Sequence, residues 1–107
     1  MSKVIELTDS NFDEEIQKSK KPVIVDFYAK WCGHCRAQKP ILDAFANEIG
    51  DKAMIAEVNI DENQQKAAEF GVTGIPSFVV FKNGKAVKHE AGFHQTQDLN
   101  RLLNELN

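Results

Sequence analysis

This chain has little positive charge, no long apolar run and almost no sulfur. Of its 107 residues, 13 are Lys or Arg against 16 Asp or Glu, a formal net charge of −3. No basic cluster interrupts that balance, which argues against a nucleic-acid or anionic-membrane partner. No apolar stretch approaches the ~20 residues that a bilayer-spanning helix needs. The opening Met1-Ser2-Lys3-Val4-Ile5-Glu6 lacks the apolar centre of a secretory leader. Asn104-Glu105-Leu106-Asn107 carries no retention or lipidation signal. The expected compartment is therefore the cytosol. With six glycines and three prolines, no linker, repeat or low-complexity segment is visible. One domain over residues 1–107 is expected, long enough to bury a core without covalent staples.

The only two cysteines stand together, in Trp31-Cys32-Gly33-His34-Cys35. Upstream, Pro22 to Tyr28 reads as a buried strand, and downstream the apolar residues take helical spacing. A C-x-x-C between strand and helix is a redox site more often than a structural pair. One helical turn brings the sulfurs within bonding reach, and the helix N-terminus offers unpaired N–H groups and partial positive charge. That field stabilises a thiolate, the species that attacks a disulfide. The competing readings are a structural pair or half a metal site. A closed zinc site wants four ligands. Only His34, His89 and His94 could assist, and His34 lies between the cysteines with poor geometry, so no metal is expected. Arg36 follows Cys35 where haem attachment requires histidine.

Taken in order, Val4 to Leu7 suggests a first strand. Thr8 to Asn11 offers caps for a short acidic helix with Phe12 and Ile16 inward. Val23 to Tyr28 is apolar at nearly every position, as in a central strand covered on both faces, and Asp26 is its misfit. A long helix from Cys32 to Ile49 buries Ala37, Ile41, Leu42, Phe45 and Ile49. Pro40 should kink it, and Gly50 suits the position after its end. Ala53 to Ile60 reads as a strand. A short helix beginning at Asp61 to Asn63 turns Ala67 and Phe70 inward and stops at Gly71. Ser77 to Phe81 and Ala86 to Ala91 flank Asn83-Gly84, a two-residue hairpin signal. Thr96 caps a last helix carrying Leu99, Leu102, Leu103 and Leu106. The order is βαβαβαββα, an α/β fold with a five-stranded sheet and four flanking helices.

Along nearly its whole length the chain resembles the thioredoxin family. The resemblance rests on Val25-Asp26-Phe27, Ala29, Trp31-Cys32-Gly33 with Cys35, Pro40-Ile41-Leu42, Asn59-Ile60-Asp61, Gly74-Ile75-Pro76, Phe81-Lys82-Asn83-Gly84 and Gly92. It implies a mixed sheet and a protein-disulfide oxidoreductase that cycles between a Cys32/Cys35 dithiol and a disulfide. Cys32 would be the exposed nucleophile and Cys35 the deeper, resolving thiol. No cofactor would be bound, and NADPH would supply electrons through a flavin-dependent thioredoxin reductase. Disulfide-containing proteins would be the substrates of a monomer.

Asp26 is, on the bland reading, a buried carboxylate satisfied by hydrogen bonds. Bare in an apolar strand it is costly, and its pKa should rise. The resemblance places it beneath Cys35, as the base that takes that thiol's proton. X-Pro bonds in folded proteins are cis only about 5–6% of the time. The match at Gly74-Ile75-Pro76 nonetheless implies a cis bond against Cys32, leaving the Ile75 backbone to pair with an extended substrate. Trp31, Ile60 and Gly92 would complete an apolar docking surface. His89 and His94 are expected at the surface in solvent.

Three departures from the family pattern stand out. His34 replaces the usual proline, giving the Cys-Gly-His-Cys typical of secretory disulfide isomerases. A protonated imidazole there stabilises the Cys32 thiolate and makes the protein more oxidising. Glu57 stands where a lysine is common near the buried aspartate, so Asp26 should lose a cation and gain an anion. Tyr28 replaces a common tryptophan, and Phe93 is bulky beside Gly92. The leading expectation is a reductase of cytosolic proteins. The alternatives are a thiol oxidant or isomerase of the same fold, or a non-catalytic binding subunit of a larger complex.

Overall fold

A computed structural model describes residues 3–106. Its sheet has five strands in the order β1-β3-β2-β4-β5. β1 (Ile5–Glu6) and β2 (Val23–Tyr28) pair in parallel with β3 (Met54–Asn59). β4 (Ser77–Lys82) runs antiparallel to β2, and β5 (Lys85–Ala91) antiparallel to β4. The mixed sheet and the element order are those expected. The Asn83-Gly84 turn has both residues at positive φ, 55° and 80°, which matches the right-handed twist of the strands it joins.

Because β2 is central, its alternate residues reach two cores. Val23, Val25 and Phe27 face α1 (Phe12–Lys18) and α3 (Gln64–Glu69). There Phe12, Phe27, Phe70 and Phe81 form a ring cluster with centroids 5.3–6.4 Å apart. Ile24 faces α2 (Gly33–Ile49) and α4 (Thr96–Asn104), among Leu42, Phe45, Leu99 and Leu102. Asp26 follows Ile24 at the strand period of two and so points at the same side, the side of α2. The misfit in the apolar run is thereby aimed beneath the active-site helix.

Several boundaries and faces differ from expectation. β1 is shorter than Val4 to Leu7, although the Leu7 N–H still bonds the Glu57 carbonyl at 2.9 Å. Ala37 is exposed, and the fully buried residue of that turn is Gln38. From Cys35 the inner face advances by three or four residues, to 38, 42 and 45, whereas position 37 lies about 200° away. As expected, Pro40, which is exposed, does not break α2. The cap of α4 is Gln95, not Thr96, and its N–H bonds Asp98 Oδ2 at 2.9 Å.

Candidate active site at the start of the second helix

Cys32 is the N-cap of α2 and Cys35 lies in its first turn. The first N–H groups of a helix have no intrahelical partner. Cys32 Sγ takes one of them, accepting from the Cys35 N–H at 3.3 Å. As a thiol it also donates to the Ile75 carbonyl at 3.8 Å. Both cysteines are free thiols. They are buried almost equally, Cys32 8% and Cys35 5% exposed, so Cys32 is not the open residue that was expected. Ala29, Tyr28, Ile60 and Ile75 pack around the pair.

The rim is more open than the sulfurs. Trp31 is 66% exposed, and its Nε1 donates to Asp61 Oδ2 at 2.9 Å. Ile60 and Ile75 are half-buried. The Ile75–Pro76 bond is cis. The Gly92 N–H donates to the Pro76 carbonyl at 2.7 Å, and Ser77 Oγ to the Gly74 carbonyl at 2.6 Å. Gly92 has φ +104°, a conformation that L side chains rarely adopt, and no atom would contact a Cβ there. Backbone geometry, not lack of space, therefore calls for glycine at 92. Trp31, Ile60, Gly74, Ile75, Pro76 and Gly92 all belong to this end of the sheet, where β2 and β4 meet the start of α2. His34 and Gly33 are exposed in the first turn of that helix.

Beneath the dithiol, Asp26 is 2% exposed, and its Oδ1 has no hydrogen-bond partner in the protein. Burial first, then the Glu57 carboxylate, pushes its pKa well above the ordinary range, and Lys39 draws it back. The parallel register sets Asp26 beside Glu57 across β2 and β3. The expected anion is thus present, but the expected loss of a cation is not. Lys39 Nζ on α2 lies 2.8 Å from Glu57 Oε1 and 2.9 Å from Asp43 Oδ1. A cavity of about 330 Å³ is lined by Asp26, Cys35, Lys39, Glu57, Tyr28 and Arg36, among others. Burial, above all, and the bond to Cys32 push the Cys35 thiol up to about 12. Cys35 and the unpaired carboxylate therefore open to one shared, partly polar space.

The sequence reading missed Lys39 and also misplaced His94, which is buried at 5% exposed. Lys39 had a signal, since it follows Cys35 by four residues and so shares its helix face. His94 had none, because its backbone is bonded by Gln38 of α2 and its ring packs on Phe78 of β4. Among the described residues, no group of three or more His, Cys, Asp or Glu side chains is arranged to hold a metal ion. Nor is any helix among them long and apolar enough to cross a membrane.

A vicinal dithiol capping a helix, at the end of a central strand in a mixed sheet, defines a thiol–disulfide oxidoreductase. Comparison with known proteins gives the same class. The family model described as "Thioredoxin" matches residues 3–105. The thioredoxin of Alicyclobacillus acidocaldarius is 43% identical over 97 residues, 91% of either chain. That of Staphylococcus haemolyticus is 41% identical over 102 residues, covering 95% of this chain and 96% of its own. That of Rickettsia prowazekii is 39% identical over 99 residues, 92% of this chain and 94% of its own. The chain belongs to the thioredoxin family.

Proposed function

We propose that this protein reduces disulfides in other cytosolic proteins, with Cys32 as nucleophile, Cys35 as resolving thiol and Asp26 as the base between them. The Cys32 thiolate attacks one sulfur of a substrate disulfide, forms a mixed disulfide and expels the other sulfur as a thiolate. Cys35 passes its proton to Asp26, attacks Cys32 Sγ and expels the second substrate thiolate. Substrate gains two electrons, and the protein leaves as a Cys32–Cys35 disulfide. One domain, acting as a monomer, carries this cycle without a bound cofactor. A flavin-dependent thioredoxin reductase returns the dithiol at the expense of NADPH.

The observation that carries this reading is the pairing of Cys35 with Asp26 at one cavity. A thiol held near 12 is almost wholly protonated at neutral pH, so it needs a base. The neighbouring carboxylate, raised by burial and by Glu57, is one matched to that proton. Trp31, Ile60, Gly74, Ile75, Pro76 and Gly92 form the docking surface, with backbone groups of Ile75 pairing to an extended substrate strand. Gly33, His34 and Glu57 tune the potential.

The test is trapping. Cys35→Ser should accumulate substrate proteins as mixed disulfides on Cys32, visible as reducible adducts by mass spectrometry, and Cys32→Ser should not. Equal trapping by both variants would show that the nucleophile is misassigned.

A further inference from the structure

Just past the end of β5 stands an aromatic side chain that the disulfide chemistry leaves unused. Among the described residues, Trp31 and Phe93 are the large apolar side chains exposed at the active-site end of the sheet, Phe93 at 38%. The residue after Phe93 is fixed. His94 is buried, with its ring on Phe78 of β4, centroids 4.6 Å apart. Gln38 of α2 holds its backbone twice, donating from Nε2 to the His94 carbonyl at 2.9 Å and accepting the His94 N–H on Oε1 at 2.8 Å. The residue before is fixed as well, since the Gly92 N–H bonds the Pro76 carbonyl at 2.7 Å. Phe93 is therefore held between two anchored neighbours with its side chain left exposed.

Register places it with respect to the dithiol. β4 and β5 pair with Ser77 opposite Ala91. Continued one residue, the antiparallel register sets Gly92 opposite Pro76, where their bond is found. Continued one more, it sets Phe93 opposite Ile75, about 5 Å away between backbones. Ile75 is the residue whose carbonyl accepts from the Cys32 thiol at 3.8 Å. Trp31 precedes Cys32 and is tied to Asp61, beyond the end of β3. With the strands in the order β3-β2-β4-β5, Trp31 and Phe93 stand on opposite sides of the Cys32 sulfur. An extended segment laid along Ile75 advances about 3.3 Å per residue and alternates its faces. The second residue from its cysteine, about 7 Å along, thus faces the same surface as the cysteine does. Phe93, one strand spacing beyond Ile75, is within reach of that side chain.

We propose that Phe93 is a specificity-determining residue: it gives the docking surface a second apolar wall, which favours protein disulfides with a large apolar side chain two residues from the cysteine that Cys32 attacks. The inference rests on the reading of Ile75, Pro76 and Gly92 as docking surface and names a substrate class for it. The favoured side chain is apolar because the wall is a phenyl ring and Ile75, Pro76 and Gly92 beside it carry no charge. Contact removes apolar surface of both partners from water. A polar side chain in the same place loses hydration and finds no hydrogen-bond partner on the ring.

The probes are three short glycine–serine peptides, each with one cysteine joined to 2-nitro-5-thiobenzoate as a mixed disulfide. One carries leucine two residues before the cysteine, one carries it two residues after, and one has serine at both places. The Cys32 thiolate attacks the peptide sulfur and expels the nitrothiobenzoate thiolate, whose absorbance times the step. Cys35 then attacks Cys32 Sγ and expels the peptide thiolate. Each rate constant is divided by that of the serine peptide with the same protein, so any change in the Cys32 thiol itself cancels. In the wild type one leucine peptide should react about five- to tenfold faster than the serine peptide, part of what full burial of a leucine would give. In Phe93→Ala that ratio should fall to about one, and Phe93→Leu should keep most of it. A wild type with no leucine preference, or a preference undiminished in Phe93→Ala, would overturn the proposal. Should Phe93→Ala fail to fold, Phe93→Gln keeps the bulk without the apolar surface, and a preference retained there would overturn it equally. A Cys35→Ser variant that holds no peptide on Cys32 by mass spectrometry would sink the reading of the site itself, a result distinct from equal reaction of all three peptides.

Discussion

Replacing Asp26 with asparagine should make the protein more stable, and the gain should depend on pH in a defined way. An unpaired carboxylate inside a protein costs several kcal/mol after relaxation. Here it is 2% exposed with one oxygen unpartnered, which argues for a large penalty. Two features reduce it: Lys39 lies close enough to favour the anion, and the cavity of about 330 Å³ lets water approach. The lower end of the range, about 2 kcal/mol at neutral pH, is the expected gain. For a chain of this length that is about 10 °C in Tm. The sign with pH follows from linkage. The folded-state pKa of Asp26 is raised, so the unfolded chain ionises first as pH rises. Wild-type stability therefore drops progressively once pH passes the ordinary carboxylate range, levelling off above the folded-state value. Asparagine does not titrate, so the two proteins should nearly coincide at about pH 3, where Asp26 is neutral in both states. Urea unfolding followed by circular dichroism across that range measures the difference. A variant no more stable than wild type at neutral pH, or one equally favoured at about pH 3, would refute the penalty argument. If Asp26 is the proposed base, the same variant should also slow resolution of the mixed disulfide by Cys35.

Lys39→Met should raise the Asp26 pKa further, because Lys39 is the one influence among its causes that lowers it. The pH at which resolution reaches its full rate should then shift upward in single-turnover kinetics. In an Asp26→Asn background the same change should leave that step alone, and an equal effect in both backgrounds would place Lys39 outside the proton path. His34→Pro should make the protein more reducing, because positive charge on an imidazole in the first turn of α2 would favour the dithiol form alone. Since His34 is exposed and screened by solvent, one step of about 30 mV is expected in a glutathione-linked titration. A potential that does not move, or moves toward oxidising, would leave His34 a tolerated substitution. Proline is compatible with the first helical turn, so the fold should not suffer.

Local pattern alone determined much of this protein. The unbroken apolarity of β2, the leucine stripe of α4 and the Asn83-Gly84 turn are written in periods and pairs that neighbouring residues share. They dictate strand, helix and hairpin before any long-range contact forms. The spacing of Cys32 and Cys35 likewise places two sulfurs on one turn of a helix wherever that helix goes. The tertiary structure decided which groups meet. Only the parallel register of β2 with β3 sets Glu57 beside Asp26. Only the packing of α2 on the sheet brings Lys39 to Glu57, 18 residues on, and so supplies a cation beside the Asp26–Glu57 pair. Gln38 and His94 are 56 residues apart, and nothing in the periodicity of either segment announces a bond between them. Each segment fixes its own apolar face. The partner of a buried polar group is chosen by whichever donor or acceptor the chain folds against it, because an unmatched one is too costly to bury.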